Sequence, residues 1–83
     1  MNINILYCVQ WNYEPQALSL RDELYEAFRN YTGVSIEIVP GARGSFEVIV
    51  DKVMVFSKLD LDRFPNSGEI VNLIKEWLKF QFN

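Results

Sequence analysis

The sequence predicts one α/β domain over residues 1–83, ordered β-α-β-β-β-α, with a four-stranded mixed sheet in the order 2-1-3-4 and two helices. Three observations predict it. An apolar run at residues 3–9 opens the chain, a clean two-residue alternation occupies 34–39, and two β-rich runs at 46–50 and 53–56 flank Asp51-Lys52. Two stripes of apolar residues at three- and four-residue steps account for the remaining long segments.

Residues 3–9 are apolar on both pleat faces, the mark of a central strand covered on both sides. Pro15 suits a first helical turn. Beyond it Ala17, Leu20, Leu24, Phe28 and Tyr31 trace a core stripe, Arg21, Asp22, Glu23 and Glu26 fall largely opposite, and Gly33 ends the helix. Val34, Ile36 and Ile38 share one strand face and Ser35 and Glu37 the other, so the second strand is half exposed. PGARG, residues 40–44, is a turn by composition. Asp51-Lys52 joins strands three and four in a tight hairpin, although Lys52 stands where such turns favour glycine. A polar loop over 57–65 leads to Asn66, with Glu69 three places on in a capping arrangement. Ile70, Val71, Ile74, Trp77, Leu78 and Gln81 then mark the last helix. Phe80 and Phe82 lie outside its stripe, and three readings stand: they cover the sheet, support self-association, or fray. A monomer or a weak homodimer is expected.

This topology concentrates chemistry at one edge. Strands one, two and four all end there, and PGARG must cross the tip of strand one to reach strand three. The crossing is about 10 Å, and five extended residues reach roughly 16 Å. Cys8, PGARG and the 57–65 loop therefore converge, which brings Arg43, Lys58 and Arg63 toward Cys8. Sheets of this kind bind ligands beyond the carboxyl ends of their strands.

Composition removes many functions. Histidine is absent and Cys8 is the only cysteine, which excludes Ser-His and Cys-His catalysis, an internal disulfide framework and a zinc site. No metal and no bound cofactor are expected, since no glycine-rich phosphate loop is present either. Eight basic against eleven acidic residues give a net charge of -3 with no basic cluster, so nucleic acid is not an expected partner. No apolar run is long enough to span a membrane, and no positive flank precedes the short apolar stretch as in a leader. A lone cysteine suits the reducing cytoplasm.

Each candidate residue carries two readings. Cys8 is either a small buried hydrophobe or a reactive thiol. Arg43, Lys58 or Arg63 would supply the positive charge a reactive thiol needs, whereas Pro15, seven residues on, starts the helix too far away for a strong dipole effect. Mild activation is the expectation. Trp11 and Tyr13 are partner anchors or a lid over the sheet end. PGARG presents backbone amides to an anion or is simply a turn. Glu37 and Glu47 lie on strands that are not neighbours, so they read as solvated strand faces rather than as a catalytic pair.

Five segments in order carry a further resemblance: the strand ending in YC, NYEPQALSLRDEL, PGARGSFEV, VDKVMVFSK and DRFPNSGEI. Together they resemble the selenoprotein W-like family (Rdx; SelT/SelW/SelH), which is thioredoxin-like in fold. Members carry C-x-x-C or C-x-x-selenocysteine after the first strand. Cys8 matches the first position, and Trp11 stands at the second, where it offers neither a nucleophile nor a disulfide partner. What the resemblance implies is single-thiol chemistry at Cys8, with glutathione as co-substrate or client protein thiols as partners. The alternative is a binding module that keeps the fold without the dithiol centre. In a thioredoxin-like frame the loop before strand three faces the thiol, a place taken here by Pro40 or by Gly44-Ser45. The isomer of the Val39-Pro40 bond is open at this point.

Overall fold

The computed structural model describes residues 1–81. Its elements are β1 Asn2–Tyr7, α1 Glu14–Phe28, β2 Ser35–Pro40, β3 Phe46–Val50, β4 Val53–Ser57, α2 Lys58–Leu61 and α3 Glu69–Gln81. The sheet order is β2-β1-β3-β4. β1 is the pivot, parallel to β2 from Asn2↔Ser35 to Tyr7↔Pro40 and antiparallel to β3 from Ile3↔Val50 to Tyr7↔Phe46. β3 and β4 are antiparallel, with an irregularity at Val48/Ile49. The predicted architecture holds, and the carboxyl ends of β1, β2 and β4 share one edge.

Alternation decides which sheet face is buried. Ile3, Ile5 and Tyr7 join Val48, Val50 and Phe56 in one core with Ala17, Leu20, Leu24 and Phe28 of α1 and Ile70 and Ile74 of α3. Both long helices thus cover the same face, and they touch each other. The opposite face, with Asn4, Leu6, Glu37, Ile49 and Met54, stays partly or fully exposed. β1 is therefore central but covered on one side, not two. Leu6 misled the reading because an apolar residue on an open face looks the same in sequence as a buried one.

Two further corrections concern helix ends. α1 stops at Phe28, with Arg29 as its C-cap, five residues before Gly33. Tyr31 is half exposed, and its ring meets Phe28 edge-on at 5.0 Å, so it keeps the helical spacing without belonging to the helix. Gly33, at φ +70°, shapes the approach to β2, and its carbonyl accepts from the Met1 amino group at 2.8 Å. The 57–65 loop, for its part, contains a helical turn, α2. Ser57 caps it by accepting from the Asp60 N–H at 3.4 Å, and Asp62 closes it in the left-handed region at φ 58°.

Other local expectations hold. Asp51 and Lys52 have φ 47° and 73°, both positive, as the hairpin turn that matches strand twist requires. Asp51 is anchored on Asn2, whose N–H donates to Asp51 Oδ1 at 2.8 Å. Before α3, the Asn66 N–H donates to Glu69 Oε1 at 2.9 Å, the reciprocal half of a capping box. Phe80 is 75% exposed, and Phe82 lies outside the described residues. Among the described residues no helix is long and apolar enough to cross a membrane.

Candidate functional site

The site begins where β1 ends. Cys8 continues the ladder one residue past the strand, its N–H donating to Ser45 O at 2.9 Å. The chain then turns sharply. Asn12 N–H donates to Val9 O at 3.0 Å with Asn12 at φ 58°, and Tyr13 N–H donates to Cys8 O at 3.1 Å. This turn aims backbone amides inward at the sulfur, and the Trp11 N–H reaches Cys8 Sγ at 3.3 Å.

From the opposite side comes the PGARG segment. Gly44 takes φ +75°, and its amide also faces the sulfur. Burial is the largest influence on Cys8 and pushes its thiol up. The amides of Gly44, Trp11 and Gln10 and the Arg43 charge act in the other direction, and together they win, leaving the thiol below its ordinary 9.0. The activation is supplied mainly by main-chain N–H groups, a nest made by two loops.

Cys8 is only 1% exposed. It lines a hollow of about 420 Å³ with Val9, Gln10, Pro40, Gly41 and Arg43. Arg43 Nε donates to Gln10 Oε1 at 3.0 Å, bridging the two loops at this hollow. The sulfur is thus nearly enclosed rather than open in a shared cleft, as the convergence of loops had suggested.

The three predicted cations separate. Arg43 contributes to the field at Cys8. Lys58 instead sits over the rings of Tyr13 and Phe64, with Nζ 5.3 and 5.2 Å from their centroids. Arg63 is bound to Glu69 through two contacts of 2.7 and 2.8 Å, donates to Phe64 O at 3.2 Å, and lies over the Phe56 ring. Placing Lys58 and Arg63 beside the thiol needs correcting: β4 delivers both to the correct edge, but an aromatic cluster and the start of α3 take up their charges.

Trp11 is 54% exposed, and its indole leans on Gly44 so closely that a Cβ there would meet Cζ3 at 2.8 Å. Tyr13 belongs to a chain of edge-on rings, 6.1 Å from Trp11 and 4.7 Å from Phe64, which continues to Phe46 at 5.2 Å. Ser45 is fully buried, and its hydroxyl donates to Ala42 O at 2.6 Å, so it serves the site through its backbone. Gly44-Ser45 is the segment that faces the thiol, and Val39-Pro40 is trans. Glu37 and Glu47 do not pair: Glu47 Oε2 accepts from the Ser57 hydroxyl at 2.7 Å. Sequence reasoning missed Gln10, whose main chain helps to lower the thiol and whose side chain accepts from Arg43. No side-chain pattern signals a residue acting through its main chain.

A model of the Rdx family matches residues 2–76. Migration and invasion enhancer 1 from Bos taurus and from Mus musculus are each 31% identical over 75 residues. The match covers 90% of this chain, which spans 63% of the length of these curated relatives. A selenoprotein W-related protein from Vibrio cholerae superposes with TM-score 0.83 at 22% identity, over 92% of this chain and 94% of that one. A Bordetella parapertussis protein does so with TM-score 0.83 at 23% identity, over 90% and 94%. These two structures bear on the fold, a thioredoxin-like α/β sheet.

Proposed function

The chain belongs to the Rdx family, and from that premise we propose that it is a redox-related protein working through the single thiol of Cys8. The observation that carries this reading is the amide nest of Gln10, Trp11 and Gly44, which with Arg43 brings the thiol below its ordinary 9.0. A disulfide of glutathione, or of a client protein, enters the hollow beside Arg43. The Cys8 thiolate attacks one sulfur of that disulfide, a new S–S bond forms, and the other sulfur leaves as thiolate with the electron pair. The amide donors hold the reacting sulfur in place. With Trp11 three residues on, no second sulfur of this chain completes the cycle, so an external thiolate attacks the mixed disulfide and regenerates Cys8. Such a cycle belongs in the reducing cytoplasm, where external thiol is abundant.

A second reading draws on exposure. Val9 and Trp11 are 59% and 54% exposed beside an almost enclosed sulfur, as in a module that binds partners through this loop without thiol chemistry. One experiment separates the two. Incubation with oxidised glutathione at neutral pH, followed by intact mass, is expected to show one glutathione adduct on the wild type and none on Cys8→Ser. An unmodified wild type would remove the thiol reading and leave the binding module.

A further inference from the structure

Three of the four arginines face a carboxylate: Arg21 pairs with Asp22, Arg29 with Glu26 and Arg63 with Glu69. Arg43 has no carboxylate partner among the described residues, although acidic side chains outnumber basic ones by eleven to eight. It is nonetheless held. Its Nε is committed to Gln10 Oε1 at 3.0 Å. The loop that carries it is closed by Ser45, which donates both its N–H and its hydroxyl to Ala42 O at 3.0 and 2.6 Å. Gly41 packs so tightly beneath that an added Cβ would lie 2.7 Å from Ser45 Oγ and 3.1 Å from Leu6 Cβ. An arginine on a braced loop, unpaired and bordering the same hollow as the thiol, has its two terminal guanidinium nitrogens available for a planar anion.

We infer that Arg43 sets the specificity of the Cys8 site, selecting small disulfides that carry a carboxylate near the reacting sulfur over neutral or cationic ones. This rests on the reading of Cys8 as a nucleophile. In the exchange, the half-molecule that bonds to Cys8 keeps its carboxylate on Arg43. The other half departs as thiolate and takes a proton from water. Arg43 also lowers the thiol, so a change in overall rate would not isolate recognition. The ratio of rates for two probes does, because both probes meet the same sulfur.

The test compares dithiodipropionate, hydroxyethyl disulfide and cystamine as anionic, neutral and cationic probes, with adduct formation followed by intact mass. Wild type, Arg43→Gln and Arg43→Lys are measured. The anionic-to-neutral rate ratio is expected to fall about five-fold in Arg43→Gln, as for an exposed charge pair. Arg43→Lys should fall between, the cationic probe should be slowest on the wild type, and added salt should narrow the differences. An unchanged ratio in Arg43→Gln would overturn the inference and leave Cys8 a nucleophile. A thiol inert to all three probes would overturn both.

Discussion

The backbone N–H of Trp11 donates to Cys8 Sγ at 3.3 Å, so residue 11 addresses the sulfur through its main chain while its indole leans on Gly44. The turn thus holds the main chain of residue 11 against the Cys8 sulfur. Trp11→Cys is expected to close a disulfide between Cys8 and the introduced thiol on mild oxidation, read as a loss of two hydrogens by intact mass. Because Trp11 is 54% exposed, the reduced variant should lose about 1 kcal/mol or less. Two persistent free thiols would show that the turn does not bring the two side chains together.

Gly44 meets the same indole from the other loop. Alanine there must hold φ near +75° and would place its Cβ 2.8 Å from Trp11 Cζ3. Gly44→Ala is expected to destabilise by about 2 kcal/mol in urea unfolding. Repeating it in a Trp11→Ala background should remove the steric share and leave the backbone share, which makes the two changes non-additive. Additive losses would mean that the ring simply swings aside.

Glu69 gives a pH signature distinct from that of the thiol. Hydrogen bonds from Arg63, then the Asn66 N–H, hold its carboxyl at about 2 against burial, where 4.5 is ordinary. A carboxyl depressed in the folded state binds its proton more readily when unfolded. Its stabilisation is thus complete above 4.5 and drains as pH falls toward about 2. Arg63 is 43% exposed, so water screens the pair and Glu69→Gln should cost only ~1 kcal/mol at neutral pH. Urea midpoints of wild type and variant should converge through that acid window. Parallel curves would show that the ion pair does not stabilise the fold.

Much of this fold is legible in residues because hydrophobic period and turn length express it directly. The two-residue gap at Asp51-Lys52 forces a hairpin and the helical stripe after Pro15 a crossover, and with the apolar run at 3–9 read as the central strand the order 2-1-3-4 follows. Failures occur where one local pattern serves two outcomes. Tyr31 keeps the helical spacing from outside α1, Leu6 is apolar on an open face, and a single turn of helix hides among the polar residues after Ser57. At the site, Arg43 is legible from topology alone. The amides of Gln10, Trp11 and Gly44 are not, because every residue type except proline carries that donor.

The hairpin itself offers a gain. Lys52 holds φ 73° with a side chain that disfavours it, and Asp-Gly is the preferred pair for this turn. Lys52→Gly should raise stability by about 1 kcal/mol in thermal unfolding, since the left-handed strain of a lysine disappears. A decrease would mean that the added chain freedom of glycine outweighs that strain.

Titration of the Cys8 thiolate by ultraviolet absorbance, with Cys8→Ser as the blank, bears most directly on the activated sulfur. The transition should lie below 9.0 in the wild type and move upward in Arg43→Gln. A wild-type transition at or above 9.0 would mean that burial prevails over the nest, and Cys8 would then be a packing residue.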